Sequence, residues 1–137
     1  MKLILDTNAL IDPPDDSFAE AHRYDTPLTA AFCYAELFEG EFATDASAWA
    51  GAAAQAADAR TSYGPGLPFD DSAALAYRSV CQAVVGRGRR LTRARPIDLM
   101  VAAVALANGC ALVTRGRGNF AGLEGLVEVI ELEPGLP

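Results

Sequence analysis

Three carboxylates stand in settings that could support chemistry: Asp6, Glu36 and Asp98. Asp6 closes the apolar run Lys2-Leu-Ile-Leu5, Glu36 lies among Phe32, Leu37, Phe38 and Phe42, and Asp98 is the only charge from Pro96 to Val113. Alone, Asp98 reads as a helix-start residue whose ionised form is favoured by the positive end of the helix dipole. Brought into one cleft, the three would repel one another, and a proton or a cation would have to offset them. Oxygen donors with no His or Cys beside them select Mg²⁺ or Mn²⁺ over zinc. Such an ion lowers the pKa of a bound water and stabilises charge on a phosphoryl oxygen, which is what phosphodiester hydrolysis requires.

Whether the three meet depends on the elements that carry them. Lys2 to Leu5 predicts a short central strand, followed by a turn of helix after Thr7-Asn8 and a break at Asp12-Pro13-Pro14-Asp15. Ser17 to Tyr24 predicts a short helix capped by Asp16 or Ser17, and Leu28 to Ala30 a second strand. A helix is expected from about Ala31 to Ala43, and an Ala-rich one from Ala48 to Arg60 capped by Asp45 or Ser47. Beyond Gly64-Pro65-Gly66, Leu67 to Phe69 reads as a small strand and Asp70-Asp71-Ser72 as the cap of a helix running to about Val85. Pro96 suits a first helical turn, Leu99 to Ala107 is apolar on every side, and Asn108-Gly109 stops that helix. Strands follow at Cys110 to Val113 and Leu126 to Leu132, either side of the Gly-rich Arg115 to Asn119.

Strands alternating with helices imply an α/β fold, a mainly parallel sheet with helices on both faces. In such a fold strand C-termini and helix N-termini share one edge. Asp6 ends a strand, Glu36 is in the second turn of the helix after a strand, Asp98 begins a helix, and Thr114 ends a strand. All four are expected at the same rim.

The composition narrows the alternatives. A chain of 137 residues with no internal repeat and no long linker is expected to be one domain, residues 1–137. No apolar run approaches the roughly 20 residues that span a bilayer, and no signal-type segment precedes Asp6. Cys33, Cys81 and Cys110 show no Cys-x-x-Cys spacing, so buried reduced thiols in a cytoplasmic protein without a membrane partner are expected. A single histidine, His22, excludes a two-histidine ribonuclease mechanism and reads as a surface residue. Neither Gly-x-Ser-x-Gly nor a Gly-Lys-[Ser/Thr] phosphate loop occurs.

Leu5-Asp-Thr-Asn-Ala-Leu-Ile11, Tyr34-Ala-Glu-Leu-Phe-Glu-Gly40, Pro96-Ile-Asp-Leu-Met-Val-Ala-Ala103 and Ala111-Leu-Val-Thr-Arg115 together resemble the four blocks of PIN-domain nucleases, with Gly125-Leu-Val-Glu-Val-Ile130 as the closing strand. The blocks hold their order over essentially the whole chain. The resemblance implies a PIN-like three-layer α/β/α fold. Length and blocks are most similar to the VapC-type toxins of bacterial type II toxin–antitoxin pairs. That likeness implies a Mg²⁺- or Mn²⁺-dependent endoribonuclease that cuts RNA and inhibits translation. It also implies a homodimer neutralised by a small cognate antitoxin of VapB type. It carries Asp6, Glu36 and Asp98 over as metal ligands and catalytic residues, with Asn8 and Thr114 orienting a carboxylate or a metal-bound water.

The chain departs from the family pattern after Thr114. Gly116 stands where a polar ligand is common and Asn119 where Asp is common; Asn119 can still hold a metal-bound water but adds no charge. Weaker metal binding is the expected consequence.

Net charge is −7, made of 13 acids against 3 bases in residues 1–71 and 5 acids against 8 bases in residues 72–137. The basic loop Arg87, Arg89, Arg90, Arg93 and Arg95 leads into Asp98, and Arg115 and Arg117 follow Thr114. Arg89, Arg90, Arg93, Arg115 and Arg117 are candidate RNA-phosphate contacts, weighed against a solvated loop facing the acidic half. Trp49 and the phenylalanines of the Glu36 helix read as packing residues, and Glu39 and Glu41 as solvated charges, although Glu39, three residues after Glu36, is placed to approach the rim. Two rivals remain: a catalytically weak PIN-like module that binds RNA or a partner, and a phosphatase with an aspartyl nucleophile. The phosphatase calls for a second Asp at position 8, which is Asn.

Overall fold

A computed structural model gives the fold and describes residues 1–42, 49–88 and 96–133. A four-stranded sheet is built from β1 (Lys2–Leu5), β2 (Thr26–Thr29), β3 (Ala111–Thr114) and β4 (Val129–Glu131) in the order β2-β1-β3-β4. Every pairing is parallel, so the expectation of a mainly parallel sheet is met and exceeded. Helices α1 (Thr7–Ile11), α2 (Asp16–Ala21), α3 (Ala31–Gly40), α4 (Trp49–Tyr63), α5 (Asp71–Gly86) and α6 (Pro96–Ala107) flank it in the PIN-like α/β/α arrangement.

The apolar runs explain the two inner strands. Leu3, Ile4 and Leu5 of β1 and all four residues of β3 are buried, as a strand paired on both edges and covered by helices must be. Helix α6 is buried on several sides through Leu99 and Val101 to Ala105, and packs chiefly against α5. It ends where Gly109 takes a φ of +63°, a conformation only glycine adopts without strain, so that the Cys110 N–H reaches the Ala105 carbonyl at 2.9 Å. This closure turns the chain into β3.

Several boundaries differ from those predicted. Strand β2 begins two residues earlier than Leu28, because Lys2 pairs with Thr26 in the ladder; register, rather than apolarity, sets its start. Leu67 to Phe69 gives only the bridge between Ala30 and Leu67. There Gly66 approaches so closely that a Cβ would lie 2.7 Å from the Ala31 backbone, and the Leu67 carbonyl accepts from the otherwise uncapped Ala31 N–H at 2.9 Å. Helix α2 is capped by Asp15, whose carboxylate accepts from the Phe18 N–H at 2.9 Å, and not by Asp16 or Ser17. His22 is half-buried rather than a free surface residue, stacked on Phe18 and bonded to Asp25 at 2.8 Å. Of the phenylalanines near Glu36, Phe38 and Phe42 are exposed, leaving Leu37 and half-buried Phe32 to the core. Arg89, Arg90 and Arg93, the proposed caps Asp45 and Ser47, and the Trp49 side chain lie outside the described residues.

Candidate active site

Parallel strands place their C-terminal ends along one edge, and the chain leaves β1 there directly into Asp6. The Asp6 N–H donates to the Val113 carbonyl at 3.1 Å, which continues the β1–β3 ladder by one step and fixes the carboxylate at the rim. Beneath it, the buried Thr29 hydroxyl donates to the Leu5 carbonyl at 2.7 Å, tying the end of β2 to the residue before Asp6.

Asp6 is 3 % exposed and caps α1: one carboxylate oxygen accepts from the Ala9 N–H at 3.0 Å, the other from the Thr114 hydroxyl at 2.5 Å. Thr114 in turn accepts from the Gly116 N–H at 3.0 Å, so its hydrogen is committed to Asp6. Burial pushes the Asp6 pKa above the ordinary carboxylate value, the two hydrogen bonds oppose that rise, and the charges of Asp98 and Glu36 add to it. Glu36 and Asp98, 30 and 92 residues from Asp6 in sequence, thus act on it through space.

A cleft of about 520 Å³ opens at this edge. Asp6, Asn8, Glu36, Glu39 and Asp98 line it together with Thr7 and apolar Ile11, Pro96 and Ile97. Helix α3 brings Glu36, whose carboxylate accepts from the Thr7 hydroxyl at 2.5 Å. Helix α6 brings Asp98 in its first turn. Among the titratable residues that line the cleft, all four are acids. Its field therefore attracts cations and repels phosphate until a cation is present.

Sequence reasoning passed over Thr7 and Thr29. Thr7 follows Asp6 directly and holds the Glu36 carboxylate; a hydroxyl flanked by Asp and Asn in the first helical turn was the available signal. Thr29 carried a weaker one, a lone hydroxyl at the end of a buried strand. The structure does not bring Asn119 to the cleft. It sits in a 3₁₀ turn, Arg117–Phe120, with its side-chain amide against Gly116.

Arg115 is put to a use other than the phosphate contact considered from sequence. Its guanidinium donates to the carbonyls of Asp12 at 2.8 Å, Pro13 at 3.1 Å and Glu133, and pairs with the Asp12 carboxylate at 3.3 Å. Arg117 is exposed and lines a hollow of about 180 Å³ beside Phe120 and Glu124, none of whose lining residues borders the acid cleft.

The donor set suits a hard divalent cation: carboxylates with the Asn8 side chain beside them, and no His or Cys lining the cleft. Among the described residues, no three acid, His or Cys side chains are grouped as a ready cage for an ion. Asp6 and Glu36 are turned to protein donors, Ala9, Thr114 and Thr7. Magnesium tolerates such a site, since it is commonly held by one or two carboxylates and keeps several waters.

Residues 3–125 match the family model of the PIN domain. A member of the VapBC family of toxin–antitoxin systems, VapBC-5 from Mycobacterium tuberculosis, is similar at 29% identity and a TM-score of 0.78, covering 96% of this chain and 98% of that one. VapBC-1 from nontypeable Haemophilus influenzae shares the fold at 20% identity and a TM-score of 0.75, with 96% and 98% covered. FitAcB from Neisseria gonorrhoeae does so at 23% identity and a TM-score of 0.71, with 96% and 97% covered. No curated protein sequence matches the chain.

Proposed function

The chain belongs to the PIN domain family, and on that premise we propose that it is a Mg²⁺- or Mn²⁺-dependent endoribonuclease of the VapC type, a toxin that cuts RNA to inhibit translation. One observation carries this reading: Asp6, Glu36 and Asp98, from three separate elements, border one cleft, where the charges of Glu36 and Asp98 act on Asp6. In this proposal Asp6, Glu36 and Asp98 hold the cation. Bound there, it supplies an activated water and charge stabilisation on the scissile phosphate. The Thr114 hydroxyl aims Asp6, the Thr7 hydroxyl aims Glu36, and Asn8 orients a water at the rim. In-line attack leaves 5′-phosphate and 3′-hydroxyl ends; 2′,3′-cyclic phosphate products would sink that mechanism.

The likeness to a VapBC toxin–antitoxin protein supports a cognate antitoxin of VapB type as the partner. A homodimer in the cytoplasm completes the proposal. Among the described residues no helix is long and apolar enough to cross a membrane.

A second reading has its own observation. The acids do not form a ready cage among the described residues, and neither Gly116 nor Asn119 adds a carboxylate to the cleft. A catalytically weak PIN-like module that binds RNA or a partner would look the same. Incubating the protein and an Asp6→Ala, Asp98→Ala double variant with RNA and Mn²⁺ separates the two. Metal-dependent cleavage lost in the variant supports the nuclease, while equal background in both supports the binding module.

A further inference from the structure

Glu39 lies in α3 one turn beyond Glu36 and lines the same cleft, whereas Glu41, two residues on, does not. Its position on the open side is distinctive. Asp6 has both carboxylate oxygens bonded to the protein and Glu36 is held by Thr7, but Glu39 is exposed, and among the described residues no hydrogen bond or ion pair engages its carboxylate. Past Thr114 the chain offers Gly116 and an Asn119 packed onto it, neither of which lines the cleft.

Resting on the metal-dependent reading above, we propose that Glu39 is the fourth acid of the centre, supplied by the same helix as Glu36 rather than by the loop after β3. Its carboxylate would help hold a divalent cation in the cleft, adding charge to the donor set from the exposed end of that lining. Affinity for hard cations follows the charge of the ligand set. A fourth negative charge one helical turn from Glu36 therefore compensates for a loop that contributes none.

Mn²⁺ titration by calorimetry, with no RNA present, tests this on the wild type, Glu39→Gln and Glu41→Gln, each checked for native circular dichroism. Glu39→Gln is expected to bind about tenfold more weakly, the scale of losing a partner to metal-bound groups. Glu41→Gln is expected to match the wild type. The measurement is repeated in about 0.5 M NaCl, where a charge acting only through solvent is largely screened. A Glu39→Gln deficit that persists there supports a residue at the ion. A deficit that vanishes in salt, or Glu39→Gln equal to the wild type at both ionic strengths, overturns the assignment and leaves the nuclease reading standing. If the wild type itself takes up no Mn²⁺, the metal centre falls and Glu39 with it.

Discussion

At the scale of single residues, the site depends on hydroxyl groups as much as on acids. Thr114 donates to a carboxylate that is almost sealed from water, and a buried charge deprived of a donor costs more than the bond gained in forming it. Thr114→Val, which keeps the shape and removes the donor, is expected to lower stability by about 1–3 kcal/mol at neutral pH, measured by urea denaturation. The loss should shrink in acid, once Asp6 carries its own proton. Thr7→Val differs because Glu36 is only half-buried: stability should hardly change, while Mn²⁺ affinity falls and Thr7→Ser restores it. The carboxylates were legible in the sequence because they interrupt apolar segments, Asp6 and Asp98 at element ends and Glu36 in the second turn of α3. Thr114, at the end of its strand, was legible with them; Thr7 and Thr29 were not, because a hydroxyl is ordinary in either setting and only the folded contact gives it a task.

At the scale of elements, what was legible was what long apolar patterning dictates. Strand β1, helix α6 and the shared edge follow from buried runs and from parallel connectivity. The shift of β2, the reduction of Leu67 to one bridge, and the use of Arg115 follow from pairing register and backbone approach, which leave no trace in composition. Arg115 joins three pieces of chain at once: the turn after α1, the end of β3 and the residues after β4. Arg115→Ala would leave those carbonyls to water and free the Asp12-Pro13 turn, so a stability loss of about 1–3 kcal/mol is expected in thermal or urea melts. Were Arg115 instead a phosphate contact, the variant would keep its stability and bind RNA with a shallower salt dependence. Gly66→Ala is the second test at this scale. Its Cβ would meet the Ala31 backbone, which cannot turn aside as a side chain can, and a loss of about 1–3 kcal/mol is expected without any change in the cleft's own side chains.

At the scale of the molecule, the acid cleft sets how stability responds to pH and to metal. The folded-state pKa of Asp6 lies above its unfolded value, so between the two the native state holds more protons than the unfolded chain. Stability therefore falls as pH rises from about 4, the unfolded value, through the folded pKa, and levels off beyond it. Asp6→Asn removes the charge while keeping an oxygen to cap α1, and is expected to flatten that decline and raise the melting temperature of the metal-free protein at neutral pH. Mn²⁺ should act in the same direction on the wild type, by about 2.7 kcal/mol at a hundred times its dissociation constant, and should do little for Asp6→Asn. Cys33 offers an internal report of the same linkage. It is fully buried in α3, and burial pushes its thiol pKa up to about 11, so a thiol reagent reaches it only when the molecule opens. If the cleft binds the ion, saturating Mn²⁺ slows Cys33 labelling in the wild type by the factor that the melts predict, and leaves its labelling in Asp6→Asn unchanged. Labelling insensitive to Mn²⁺ in both proteins would mean that the ion is not coupled to the fold through this edge of the sheet.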